Sequence, residues 1–180
     1  MENWHSTQLD NLSKLIQEEF FGLYKKYNKG DVVYGVVLVL DDDGLTSYMA
    51  ISTKKSNEKM HKGIEWEGYS WVQGFFDDND DVGVRSFTPV MMDHYYEEIQ
   101  PLLSKGYDFE EERKRNLNLY ISAMKKAKQQ LCNSVGSDVN SMVFYITIPG
   151  EPEIDRDSAI EINGPSDNLS WFLESYKKFL

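Results

Sequence analysis

The stretch Asp31-Val-Val-Tyr-Gly-Val-Val-Leu-Val-Leu40, followed by Asp41-Asp-Asp-Gly44 and then Leu45-Thr-Ser-Tyr-Met-Ala-Ile-Ser52, decides the fold. The first run is apolar almost without a break, which predicts a strand covered on both faces rather than one alternating between core and water. Three aspartates and a glycine make a turn, and the second run is the returning strand of a β-hairpin. Upstream, Leu9, Leu12, Leu15, Ile16, Phe20, Leu23 and Tyr27 recur at three- and four-residue steps, predicting a helix over 9–28 that Asn28-Lys-Gly30 ends.

Downstream, Thr53 to His61 is polar and predicts a short helix or an irregular crossover. Residues 63–89 lack a clean period. A helix over 90–103 carries Pro101, which kinks or ends it. The clearest helix covers 109–131: Asp108 is a good N-cap and Glu111 completes a capping-box pattern. Glu110, Glu111 and Glu112 near its start and Lys125, Lys126 and Lys128 near its end suit the helix dipole, so this charge pattern marks helix stability, not a binding site. Residues 133–140 predict a loop, 141–148 a strong strand, and 158–162 a short strand. Ser166 or Asp167 caps a last helix. Helices around a mixed or mostly antiparallel sheet, in one α+β (α/β) domain over 1–180, fit this order better than regular βαβ alternation.

The chain has 180 residues, 41% hydrophobic and 13% aromatic, enough to fill a real core. Thirty acidic against 19 basic side chains leave a formal net charge of −11. A field of that sign repels phosphate backbones, so nucleic acid is not the expected partner, whereas a basic protein surface is permitted. Cys132 is the one cysteine, so no intrachain disulfide forms and thiolate-pair zinc sites are ruled out. Met1-Glu-Asn-Trp-His-Ser has no secretory character and no apolar run is long enough for a bilayer, so neither export nor a membrane partner is expected, and cytoplasm is the expected location.

The plan of the chain resembles the DUF4303 family, a group of bacterial proteins of unknown function. The resemblance rests on the N-terminal helix, on Val33 to Leu40 with its acidic turn, on Tyr48 to Glu58 (where only Thr53 of Ser52 to Lys55 matches the family's pattern), and on the Trp-centred segment Glu65 to Trp71. It is best at Met142 to Ile148 followed by Ser158-Ala-Ile-Glu-Ile-Asn-Gly-Pro165, with Gly164 departing from the pattern. Because relatives look like members of polymorphic-toxin gene neighbourhoods, the resemblance implies an acidic immunity protein that neutralises a cognate toxin by direct contact. It supplies no catalytic residues.

The candidate partner-binding residues are the aromatic cluster Trp66, Tyr69, Trp71, Phe75 and Phe76 with the acidic run Asp77, Asp78, Asp80 and Asp81. The aromatics fill the core beneath a long loop, anchor a partner, or line a small-molecule pocket; as anchors they would supply affinity while the acidic run steers encounter. No metal or cofactor is expected. Asp77, Asn79 and Asp81 have the first spacings of a calcium loop, but Val82 stands where glycine is required and Thr88 where glutamate is. His5, His61 and His94 are far apart in sequence and form no ligand motif. Glu65 with Glu67, and Glu97 with Glu98, are the pairs a paired-carboxylate hydrolase would use. Phosphate-loop, dinucleotide and nucleophile-elbow motifs are absent. A binding protein is therefore expected rather than an enzyme, with a generic regulatory binding domain as the alternative.

Overall fold

The computed structural model describes residues 4–58, 65–71, 73–74 and 83–177. Its elements are α1 (Trp4–Tyr27), β1 (Val33–Leu40), β2 (Ser47–Thr53), α2 (Lys54–Asn57), β3 (Gln73–Gly74), α3 (Thr88–His94), α4 (Gln100–Leu103), α5 (Phe109–Val135), α6 (Ser137–Ser141), β4 (Val143–Thr147), α7 (Pro152–Ile162) and α8 (Asp167–Tyr176). The four strands form one mixed sheet in the order β3-β2-β1-β4. β1 runs antiparallel to β2 and parallel to β4, so the hairpin and the strand predicted over 141–148 share one sheet in a single domain.

All eight residues of β1 are buried, because both faces of the sheet are covered. Val36, Leu38 and Leu40 point into a core shared with α1 and α5, where Leu12, Ile16, Phe20, Tyr120 and Met124 lie. Val37 and Val39 point the other way, toward Trp66, Trp71, Tyr145, Phe172 and Tyr176. Val33 and Tyr34 break this alternation: Val33 joins the first core and Tyr34 the second. The register shifts between Val33 and Gly35, and an irregularity there flips the side-chain phase.

Two elements differ from the sequence expectation. Residues 158–162 are not a strand but the second half of α7. Pro152 sits at the start of that helix, and its buried positions Asp155, Ser158, Ala159 and Ile162 have helical spacing. Two of those four are polar, which hid the helical stripe, while Ser-Ala-Ile-Glu-Ile imitates a β alternation. The loop expected over 133–140 is instead the end of α5, Gly136 at φ 100°, and α6. Pro101 neither ends nor sharply breaks its helix: α3 runs through a π-helical turn at Tyr95–Ile99 into α4. Proline offers no N–H to the carbonyl four residues back, and a widened turn accommodates that.

β4 is an edge strand, and α7 closes its outer side. The Phe144 N–H donates to Asn163 Oδ1 at 2.9 Å, and Asn163 Nδ2 donates to the Phe144 carbonyl at 2.7 Å. Ser158 Oγ accepts from the Ile146 N–H at 3.0 Å and donates to the Ile146 carbonyl at 3.2 Å. Side chains thus take the place of a fifth strand and block edge-to-edge pairing. The buried Lys128 ammonium also donates to Asn163 Oδ1, at 2.6 Å. Asn163→Ala strips partners from three buried groups at once and is expected to cost about 2–4 kcal/mol, measured by urea denaturation, whereas Asn163→Asp should recover part of that loss by keeping an acceptor for Lys128.

Candidate functional site

At the carboxyl end of β4, where the chain turns through 148–151 into α7, the second face of the sheet opens into a cleft of about 200 Å³. Trp66, Glu67, Tyr69, Thr147, Asp155 and Tyr176 are among the residues that line it. The positions follow from the fold: Thr147 ends β4, Asp155 lies on the inward stripe of α7, and Tyr176 lies on the last inward turn of α8.

Asp155 is 4% exposed. Its Oδ2 accepts from the Tyr176 hydroxyl at 2.6 Å, while Oδ1 has no hydrogen-bond partner among the described residues. Burial pushes its pKa up to about 7, against the lowering effect of the Tyr176 and Thr147 hydroxyls. Thr147 is thus near enough to act on the carboxyl, yet its Oγ1 meets no group in hydrogen-bonding geometry among the described residues. The Trp66 Nε1 is likewise buried without a partner. Burial and the adjacent Asp155 raise the Tyr176 hydroxyl well above its ordinary range. Glu151, also in the lining, is paired with Arg113, whose side chain also donates to the Asp42 carbonyl. The cleft therefore combines aromatic walls with a buried carboxyl that lacks one donor.

The sequence candidates divide three ways. Trp66 and Trp71 are each 3% exposed and pack in the second core, the first of the roles the sequence left open for them, and Trp66 also lines the cleft. Their placement follows from Gly35 and Gly68. A Cβ at Gly35 would lie 2.4 Å from Trp71 Cη2, and one at Gly68 would lie 2.7 Å from the Tyr145 hydroxyl, so both glycines admit the aromatic segment onto the sheet. Tyr69 is 45% exposed at the cleft wall. Phe75, Phe76, Asp77, Asp78, Asp80 and Asp81 lie outside the described residues. Trp171, not singled out from the sequence, is exposed and stacks edge-on against Trp66 at 4.9 Å. Asp155, Thr147 and Tyr176 were also missed. The signal for Asp155 was its spacing to Ser158, Ala159 and Ile162.

The structure joins two of the histidines. His5 Nε2 and His94 Nε2 lie 3.2 Å and 3.0 Å from the same oxygen, Glu112 Oε1. The Tyr107 hydroxyl donates to the other oxygen at 2.7 Å. Among the described residues no helix is long and apolar enough to cross a membrane.

No family model, no curated protein and no solved structure matches the chain.

Proposed function

We propose that the protein acts by binding a partner protein, and that a cationic side chain of the partner enters the Asp155 cleft while Tyr69 and Trp171 bear on the surface around it. The observation that carries this reading is the Asp155 Oδ1 atom, buried at the cleft with no donor in hydrogen-bonding geometry among the described residues, although the Thr147 hydroxyl and the Asp155 N–H lie close enough to act on the carboxyl. A buried carboxylate is costly unless paired, and an ammonium or guanidinium group is the partner that offsets the cost best. The volume, about 200 Å³, is below the 300–1,000 Å³ or so of drug-sized ligand sites and suits the end of one side chain. A net charge of −11 favours approach of a basic surface. Exposed Tyr and Trp are the residue types that dominate binding energy at interfaces.

The biological form of this binding is that of an immunity protein, neutralising a cognate toxin domain by direct contact. It rests on the likeness of the chain's plan and motifs to a toxin-neighbourhood family. Co-expression with the toxin domain encoded beside the gene is expected to restore growth and to yield a complex on pull-down. Asp155→Ala should weaken that complex about 30- to 5,000-fold, the range for truncating one member of a buried charge pair. Unaltered killing with no complex would end the immunity reading.

One observation favours a second reading. A carboxyl with a pKa about 7 in an open cleft is suited to general acid–base work near neutral pH. Turnover in a hydrolase screen that vanishes in a folded Asp155→Asn variant would establish an enzyme in place of a binding protein.

A further inference from the structure

We propose that His5, His94 and Glu112 form a binding site for one divalent transition-metal ion, zinc by the chemistry of its ligands. It is separate from the Asp155 cleft and independent of the proposed function. The donor atoms of the three residues all lie within 4.8 Å of one another. Two nitrogens and an oxygen bound to zinc at about 2.0–2.2 Å span edges of about 3.3 Å in a tetrahedron. The observed 3.2 Å and 3.0 Å separations of the two imidazole nitrogens from Glu112 Oε1 are close to such edges. The third edge, between the two imidazole nitrogens, is at most 4.8 Å, and tetrahedral ligation requires it to close to about 3.3 Å.

Hydrogen bonding alone leaves this cluster imperfectly satisfied. His5 Nε2 faces two acceptors, Glu112 Oε1 and, at 2.9 Å, Asn116 Oδ1. The Asn116 amide is oriented by its Nδ2, which donates to the Asp43 carbonyl at 3.2 Å, so it presents oxygen to His5. One N–H cannot serve two acceptors fully, whereas a cation beside them attracts both. Several groups around the cluster hold its ligand atoms in place, while His94 Nδ1 has no hydrogen-bond partner among the described residues. Tyr107 holds Glu112 Oε2, which leaves Oε1 to the imidazoles. The Trp4 ring stacks on His94 at 3.8 Å and meets His5 edge-on at 5.0 Å. Glu112 itself is 2% exposed. Access is from the side of His5, which lines an open groove of about 270 Å³ with Leu9 and Arg115. Three protein ligands leave a fourth position for water, an open site in the zinc sense, and two imidazoles select zinc, cobalt or nickel over magnesium and calcium.

The test starts from the full chain freed of metal by chelator. Calorimetric titration with zinc is expected to give one ion per chain at micromolar or tighter affinity, with magnesium and calcium giving no heat. Cobalt should produce the visible absorption of a four-coordinate nitrogen–oxygen site. Zinc should raise the melting temperature by several degrees. His94→Gln and His5→Gln are each expected to weaken zinc at least tenfold. Should either ligand variant fail to fold, imidazole nitrogen resonances of the unaltered protein decide: zinc must shift those of both His5 and His94. Absence of stoichiometric binding, binding retained in folded His94→Gln and His5→Gln, or unshifted His5 and His94 resonances would overturn the site.

Discussion

Trp71→Ala is expected to destabilise the protein by about 3–5 kcal/mol, the usual loss when a large buried ring is cut to a methyl. Trp71 is packed among Tyr34, Trp66 and Tyr145, and its indole N–H donates to the Glu65 carbonyl at 3.2 Å. For a chain of this size the melting temperature should fall by about 6–20 °C. Gly35→Ala is a matching experiment from the opposite side. Its new methyl would meet Trp71 Cη2, so alone it should cost about 1–3 kcal/mol by overpacking. In the Trp71→Ala background the two contacts with Trp71 are gone and only Trp66 Cζ3, at 3.1 Å, remains close, so the same methyl should cost much less. Strong non-additivity between the two is the signature of direct contact. Additive losses, or a Trp71→Ala variant of normal stability, would return Trp71 to the surface and revive it as a partner anchor.

The second large effect runs the other way: Asp155→Asn is expected to make the protein more stable at alkaline pH. The carboxyl has a folded pKa of about 7, raised from an ordinary 3.8. Between those values the folded protein holds a proton that the unfolded chain has lost. Stability therefore falls as pH rises through that window, and the cost of the buried charge is complete above it. Removing the charge at pH 8 should return on the order of 3–4 kcal/mol. At about pH 2.5, well below both values, where both states are protonated, the substitution should be near neutral. Glu19 titrates in the same direction, with a pKa raised to about 7 by burial, so wild type alone cannot isolate Asp155; the difference between variant and wild type does. Denaturant midpoints across pH measure it. A variant that is more stable yet fails to bind its partner shows a group retained for function at a cost in stability. Equal destabilisation at about pH 2.5 and pH 8 would make Asp155 a structural hydrogen-bond acceptor instead.

The sheet was legible because its signals are local. The unbroken apolar run of β1 and the aspartate turn that follows place the hairpin without tertiary information. The caps of α5 and α8 were legible too: Asp108 accepts from the Glu110 N–H at 3.0 Å, and Ser166 from the Leu169 N–H at 3.1 Å. The site was far less legible. Trp66 and Trp71 looked like anchors because their segment has no period, but the same irregularity results from threading large rings over Gly35 and Gly68. Asp155 was missed because a buried acid at a helical core position counts against a helix in any reading based on hydrophobic spacing. His5 and Glu112 are joined across 107 positions, and only the packing of α1 on α5 brings them together.

The most direct test of the cleft is the carbon-13 titration of the Asp155 carboxyl, made alone and with excess methylguanidinium against a matched concentration of potassium chloride. The account predicts a midpoint near 7 in the free protein. It also predicts a fall of about one pH unit or more with methylguanidinium, because a cation beside a carboxylate favours its charged form. A free midpoint near 4, or one that methylguanidinium moves no more than potassium does, would contradict it.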